Sequence, residues 1–147
     1  MPELIISTDK AKLDLQFVHK FLSEESYWAK NIPIETVKRS IDNSLCFGVY
    51  LDDVQIGFAR VITDCATFAY LADVFIISRY RSKGVSKKLM EFIKSHPGLQ
   101  GLRRWMLATV DAHGLYKQFG FTEIAHPERL MEISTINLYL HSQNETL

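Results

Sequence analysis

The chain has no surplus of either charge: 17 Lys and Arg balance 17 Asp and Glu over 147 residues. That excludes a nucleic-acid binder that relies on bulk basicity. Cysteine is scarce, with only Cys46 and Cys65. Both sit in apolar, strand-like runs, which predicts two buried free thiols rather than a bridge. No spacing of ligand-type residues points to a metal. No apolar run is long enough to span a bilayer. The N-terminus lacks a basic stretch followed by a long apolar one, so no signal peptide is expected and the expected location is cytoplasmic. Internal repeats and low-complexity segments are missing as well. So are the glycine signatures of nucleotide sites. A Walker loop ends in Gly-Lys-Ser/Thr, whereas Gly84 is followed by Val85. The dinucleotide fingerprint needs three spaced glycines, and these are not there.

What is present suits one globular domain over residues 1–147, since 47% of the residues are hydrophobic. Its centre is the stretch Leu71–Met90. An apolar, β-branched and aromatic run reads as a buried strand. A basic turn from Ser78 to Lys83 follows, then a lone Gly84. Val85, Leu89, Phe92 and Ile93 next recur at helical spacing. Strand, basic turn with glycine, helix is a physical recipe for holding phosphate. The first helical N–H groups have no intrahelical partner, the dipole adds partial positive charge, and glycine permits close approach. A solvated basic face is the plainer reading of Arg79, Arg81, Lys83, Lys87 and Lys88.

Around this unit the pattern predicts a short strand at Leu4–Ser7 and a helix from Asp14 carrying Phe17, Val18, Phe21 and Leu22 on one face. Glu24–Asn31 reads as a loop. Pro33 opens a second helix with Ile34, Val37 and Ile41 in register. Strands over Leu45–Leu51 and Val54–Ile62 flank an Asp52-Asp53 hairpin turn. A third strand runs from about Thr67 to Ile77, and the helix after Gly84 stops at His96-Pro97-Gly98. Further strands are predicted at Trp105–Val110, Phe121–Ile124 and Ile136–His141. A short helix between the first two has Asp111 as its cap and Gly120 at its end. This is an α+β chain with a mixed sheet.

The segment Arg81-Ser-Lys-Gly84-Val-Ser86 resembles the acyl-coenzyme-A pyrophosphate loop of the GNAT N-acetyltransferase superfamily, Arg/Gln-x-x-Gly-x-Gly/Ala. Asp73-Val-Phe-Ile76 stands where that family has its coenzyme-A-binding strand. Asp111-Ala-His-Gly-Leu-Tyr116-Lys-Gln-Phe-Gly-Phe121 resembles the later family signature Asn-Ala-x-x-Leu-Tyr-x-x-x-Gly-Phe. The order of elements matches along nearly the whole chain. Two departures are small: Ser86 for Gly or Ala, and Asp111 for Asn.

The resemblance implies a GNAT-like, mostly antiparallel central sheet flanked by helices. It also implies acetyl transfer from acetyl-CoA to a primary amine of a small molecule or peptide by direct attack, with no metal. Pyrophosphate binding then falls to Arg81, Ser82, Lys83, Gly84, Val85, Ser86 and Lys87. Phe75, Ile76 and Ile77 would pair with the pantetheine arm, and Asp111 joins the cofactor group. Tyr116 matches the family's frequent general acid. Asp73 is the candidate base, directly or through water; His113 and Asp64 are weaker candidates. Tyr27, Trp28, Asp64 and Tyr70 would line the acceptor pocket, since aromatics give wide contact at low entropic cost. Plainer readings stand beside each: a half-buried helix tyrosine, a structural acid, an exposed histidine, aromatics covering the core. No nucleic-acid or membrane partner is expected, and whether the chain acts as a homodimer is left open. The rival functions are a non-catalytic acyl-CoA-binding module and an interaction domain whose basic loop takes another anion.

Overall fold

The computed structural model describes residues 3–139. Five strands form one sheet in chain order: β1 (Leu4–Ser7), β2 (Leu45–Leu51), β3 (Val54–Thr63), β4 (Phe68–Ile76) and β5 (Arg104–Leu107). Neighbours are antiparallel except β4 and β5, which run parallel. A tight turn at Asp52-Asp53 joins β2 to β3, both residues at positive φ (50° and 66°), a conformation Asp tolerates better than bulkier side chains.

Alternation along β2, β3 and β4 feeds two cores, one on each face of the sheet. On one face Phe47, Val49, Ala59, Val61, Ala69 and Leu71 meet α3 (Val85–Ser95) through Leu89, Met90 and Ile93. The short helix α4 (His113–Lys117) covers the same face through Tyr116. On the other face Cys46, Phe58 and Phe75 meet α1 (Leu15–Lys20), its π-helical continuation Phe21–Glu25, and α2 (Ile34–Asp42). Phe75 stacks on Phe21 with centroids 3.8 Å apart. The helix begun at Asp14, which caps Phe17 N–H, therefore runs on through Glu25 before the loop starts.

The structure corrects four expectations. Phe121–Ile124 is not a strand: among the described residues it pairs with no neighbour, and an extended segment gains its hydrogen bonds only from one. Ile136–Tyr139 is a turn with Asn137 at φ 58°, while the rest of the strand expected to reach His141 lies outside the described residues. β5 stops at Leu107 instead of Val110. Cys65 is exposed in the β3–β4 turn, although Cys46 is buried as expected and its thiol is pushed up to about 11 by loss of water. Among the described residues no helix is long and apolar enough to cross a membrane.

Candidate active site

β4 and β5 pair only over Phe68–Leu71 and Arg104–Leu107. Beyond Leu71, β4 continues to Ile76 with β3 on one side and, among the described residues, no strand on the other, while the chain after Leu107 leaves the sheet. The two parallel strands thus part like a V. Its open edge offers unpaired backbone N–H and C=O groups to any ligand shaped like a peptide.

Asp73 sits on the arm of the V, at φ 53°. The β3–β4 register jumps there from Phe58↔Phe75 to Arg60↔Ala72, so Asp73 and Val74 oppose one residue, the signature of a β-bulge. The bulge turns the Asp73 carboxylate to the α1–α2 face. Its Oδ2 accepts from Arg60 Nε at 2.9 Å, and its Oδ1 accepts from Trp28 Nε1 at 2.8 Å. Arg60 also donates to Ser44 Oγ at 3.1 Å. Each carboxylate oxygen keeps one further lone pair. Trp28 packs edge-on against Tyr27, and Tyr27 Oη accepts the Val110 N–H at 3.3 Å across the mouth of the V.

The other wall carries Tyr116, 8% exposed. Its hydroxyl makes no hydrogen bond among the described residues. Burial first, then the nearby Tyr27 and Asp111, push its pKa up to about 12. Tyr116 is therefore a protonated donor throughout the physiological range. Asp111 is exposed and does not cap α4; Thr109 Oγ1 takes the Ala112 N–H at 3.1 Å instead.

At the tip of β4 the chain makes a 3₁₀ turn over Ser78–Tyr80 and enters the basic loop. Ser82 and Gly84 both have positive φ, at 62° and 80°. No side chain caps α3, so its first N–H groups face outward, and a Cβ on Gly84 would meet no atom within 4 Å. There is room for a phosphate against those donors. Arg81 Nε donates to the Ile76 carbonyl at 2.8 Å, clamping the loop to the strand end and leaving its terminal nitrogens for an anion. Lys83 and Arg79 lie over the Tyr80 ring. Ile77 N–H pairs with Ile56 O at 2.9 Å.

The structure brings together Asp73, Phe75, Ile76, Ile77, Tyr27, Trp28, Tyr116 and the Arg81–Lys87 loop. It sets others apart. Asp64 lies at the opposite end of β4, where its Oδ1 accepts three backbone N–H groups and its Oδ2 the Thr67 hydroxyl. The Thr67 hydroxyl and those amides hold its pKa well below the usual carboxylate range, so it is a turn-former. Tyr70 pairs with Ile62 and Met106 inside the closed part of the sheet, sharing a face with Arg60. His113 is exposed on α4. Arg60, Ser44 and Thr109 were missed. Arg60 left a signal, a lone charge in the otherwise apolar run Ile56–Ile62; Ser44 and Thr109 left none.

A family model described as an acetyltransferase (GNAT) domain matches residues 42–123. A GNAT-family protein of Xanthomonas campestris pv. campestris has a crystal structure that superposes with a TM-score of 0.92 at 52% identity, over 95% of this chain and 98% of that one. A candidate acetyltransferase of Gibberella zeae is 29% identical over 136 residues, 78% of this chain and 76% of its own. A Clostridium acetobutylicum structure determined with acetyl-CoA shares the fold, with a TM-score of 0.66 at 12% identity over 91% and 96% of the two chains. The family match takes in β2 to α4, the elements that build the V, its basic loop and the Tyr116 wall, and places this chain in the GNAT family as an acyl-CoA-dependent acetyltransferase.

Proposed function

We propose that this protein transfers the acetyl group of acetyl-CoA to a primary amine of a small molecule or peptide, with the reaction centred in the V between β4 and β5. The parting of β4 from β5 beyond Leu71, beside the uncapped start of α3, carries this reading. The residues fit a coenzyme A. The amides from Lys83 to Lys87 and the free nitrogens of Arg81 suit a pyrophosphate. The open edge from Asp73 to Ile77 suits the peptide-like pantetheine arm. Acetyl-CoA supplies an activated thioester carbonyl.

The chain's residues then have separable tasks. Tyr27 and Trp28 wall the acceptor side, and Asp73 faces the incoming amine from the β4 bulge. As the new C–N bond forms, the amine must release a proton. Water hydrogen-bonded to the remaining lone pairs of Asp73 carries it away. As the C–S bond breaks, Tyr116 donates its hydroxyl proton to the departing thiolate and regains one from solvent. The sheet and α3 hold these groups rigidly, so the reactants meet in a fixed orientation.

The decisive kinetic test is Tyr116→Phe, followed by release of free thiol with a panel of amines. A loss of turnover with an unchanged KM for acetyl-CoA supports the acid role. Full turnover removes Tyr116 from it. A non-catalytic acyl-CoA sensor is the second reading, and a protein that binds acetyl-CoA yet acetylates no amine in the panel favours it.

A further inference from the structure

One run of contacts ties together parts of the chain that are far apart in sequence. It starts at Ser44, between α2 and β2. Ser44 Oγ accepts from Arg60 Nη1 at 3.1 Å, and Arg60 Nε donates to Asp73 Oδ2 at 2.9 Å. Asp73 Oδ1 accepts from Trp28 Nε1 at 2.8 Å. Trp28 packs edge-on against Tyr27, whose hydroxyl takes the Val110 N–H across the mouth of the V. The acceptor wall is thereby connected, through Asp73, to two residues that lie behind it in the sheet.

Stability alone does not call for this arrangement. Arg60 stands mid-sheet, opposite Cys46 on β2 and Ala72 on β4. Apolar residues in place of a buried ion pair are commonly as stable or more so, because neither partner then gives up its water. Asp73 meets Arg60 only by way of the β4 bulge, with its backbone at φ 53°, a conformation that costs energy in a residue other than glycine. Backbone strain and two desolvated charges thus coincide at the edge of the V. Strain of this kind gathers at functional sites.

The wall itself shows what the pair does there. Its root is firm: buried Ser26 donates to the Leu22 carbonyl at 2.6 Å and accepts the Ala29 N–H at 3.0 Å. Its tip is not packed, since Tyr27 and Trp28 are 58% and 43% exposed. Aromatics with that much surface in water are placed by their polar ends. For Trp28 that end is the indole N–H, and its partner is Asp73. Asp73 in turn is held by Arg60, whose planar fork bonds Asp73 and Ser44 at once. A lysine carries the same charge at a single point and has no such fork.

We propose that Arg60, seated on Ser44, is a positioning residue for the acceptor: it fixes the Asp73 carboxylate and, through it, the Trp28–Tyr27 wall. The placement of the wall rests on these contacts alone. Its consequence for the use of an amine rests on the acetyltransferase reading.

Two variants separate geometry from charge. Arg60→Lys keeps the cation and loses the fork. Ser44→Ala keeps Arg60 and removes its seat. Each is made together with Trp105→Phe, which leaves Trp28 as the remaining tryptophan, so that its fluorescence reports the wall. In both variants Trp28 emission shifts to the red, and acrylamide quenches it more strongly than in the Trp105→Phe protein alone. A second measurement follows free thiol release from acetyl-CoA with butylamine, a plain primary amine. KM for butylamine rises about tenfold in both variants, while KM for acetyl-CoA stays at the parent value. Unchanged Trp28 emission in either folded variant overturns the proposal, since balancing charge would then be the whole task of Arg60. Shifted emission with an unchanged KM for butylamine overturns the link to the acceptor. A parent that releases no thiol with butylamine counts against the acetyltransferase reading, and the emission still decides the placement of the wall.

Discussion

At the scale of single residues, Tyr116 and Gly84 carry the sharpest expectations. Tyr116→Phe keeps the ring that packs on Phe121 and loses only the donor, so folding is preserved and turnover falls about 10²-fold or more, the usual worth of a general acid. Because the Tyr116 pKa lies up at about 12, the rate profile of the parent shows no descending limb from this group below pH 10. A pH–rate series with a fixed amine checks it; a limb near neutrality that vanishes in Tyr116→Phe would contradict it. Gly84 sits at φ 80°, where a side chain is strained whatever the space around it. Gly84→Ala therefore costs about 1–2 kcal/mol in denaturant melts even though its methyl touches nothing. Tyr116 and Gly84 could be singled out in the sequence as candidates because each stands at a fixed offset in a short motif. Arg60 stood out only as a lone charge in an apolar run; its partner was not legible, since Asp73 arrives beside it from the next strand through a bulge that no local pattern announces.

At the scale of elements, the bulged end of β4 is held by a charge pair drawn from two strands. The Arg60 and Asp73 side chains are 16% and 11% exposed, so removing one leaves the other largely buried and unpaired. Arg60→Ala is expected to cost about 3 kcal/mol in urea unfolding. It should also weaken acceptor use, seen as a raised KM for the amine, because Trp28 hangs from the same carboxylate. An amine KM equal to that of the parent would remove the network from the acceptor site. Strands and helices with a strong period were legible throughout, from Leu45 to Ser95 almost to the residue. The failures cluster after Leu107. β5 ends early because its neighbour diverges, and Phe121–Ile124 has strand composition without a partner among the described residues. Composition reports what a segment could pair with, and pairing itself is a property of the assembled sheet.

At the scale of the whole molecule, two apolar cores grip one sheet, and several ionisable groups are buried as neutral species. Burial lifts Cys46 to about 11, and Tyr50 and Tyr116 to about 12, from ordinary values of 9.0, 10.0 and 10.0. Each is protonated in the folded state and more readily ionised when unfolded. Stability from these groups is thus fully present below pH 9 and is lost as pH rises from 9 to 12. Denaturant melts across that window should show a progressive fall, and a flat profile would contradict it.

The central claim is that the V between β4 and β5, with the loop from Arg81 to Lys87, holds acetyl-CoA. Thermal unfolding with and without acetyl-CoA tests it directly, beside a Gly84→Glu control that places a carboxylate where the phosphates belong. At about a hundred times its dissociation constant, a ligand bound only to the folded state adds about 2.7 kcal/mol. For a chain of this size that raises the melting temperature by about 5–10 °C. The parent should show that rise and the folded Gly84→Glu protein should not. A parent whose melting temperature stays put at saturating acetyl-CoA would contradict the site and return Arg81–Lys87 to an ordinary basic turn.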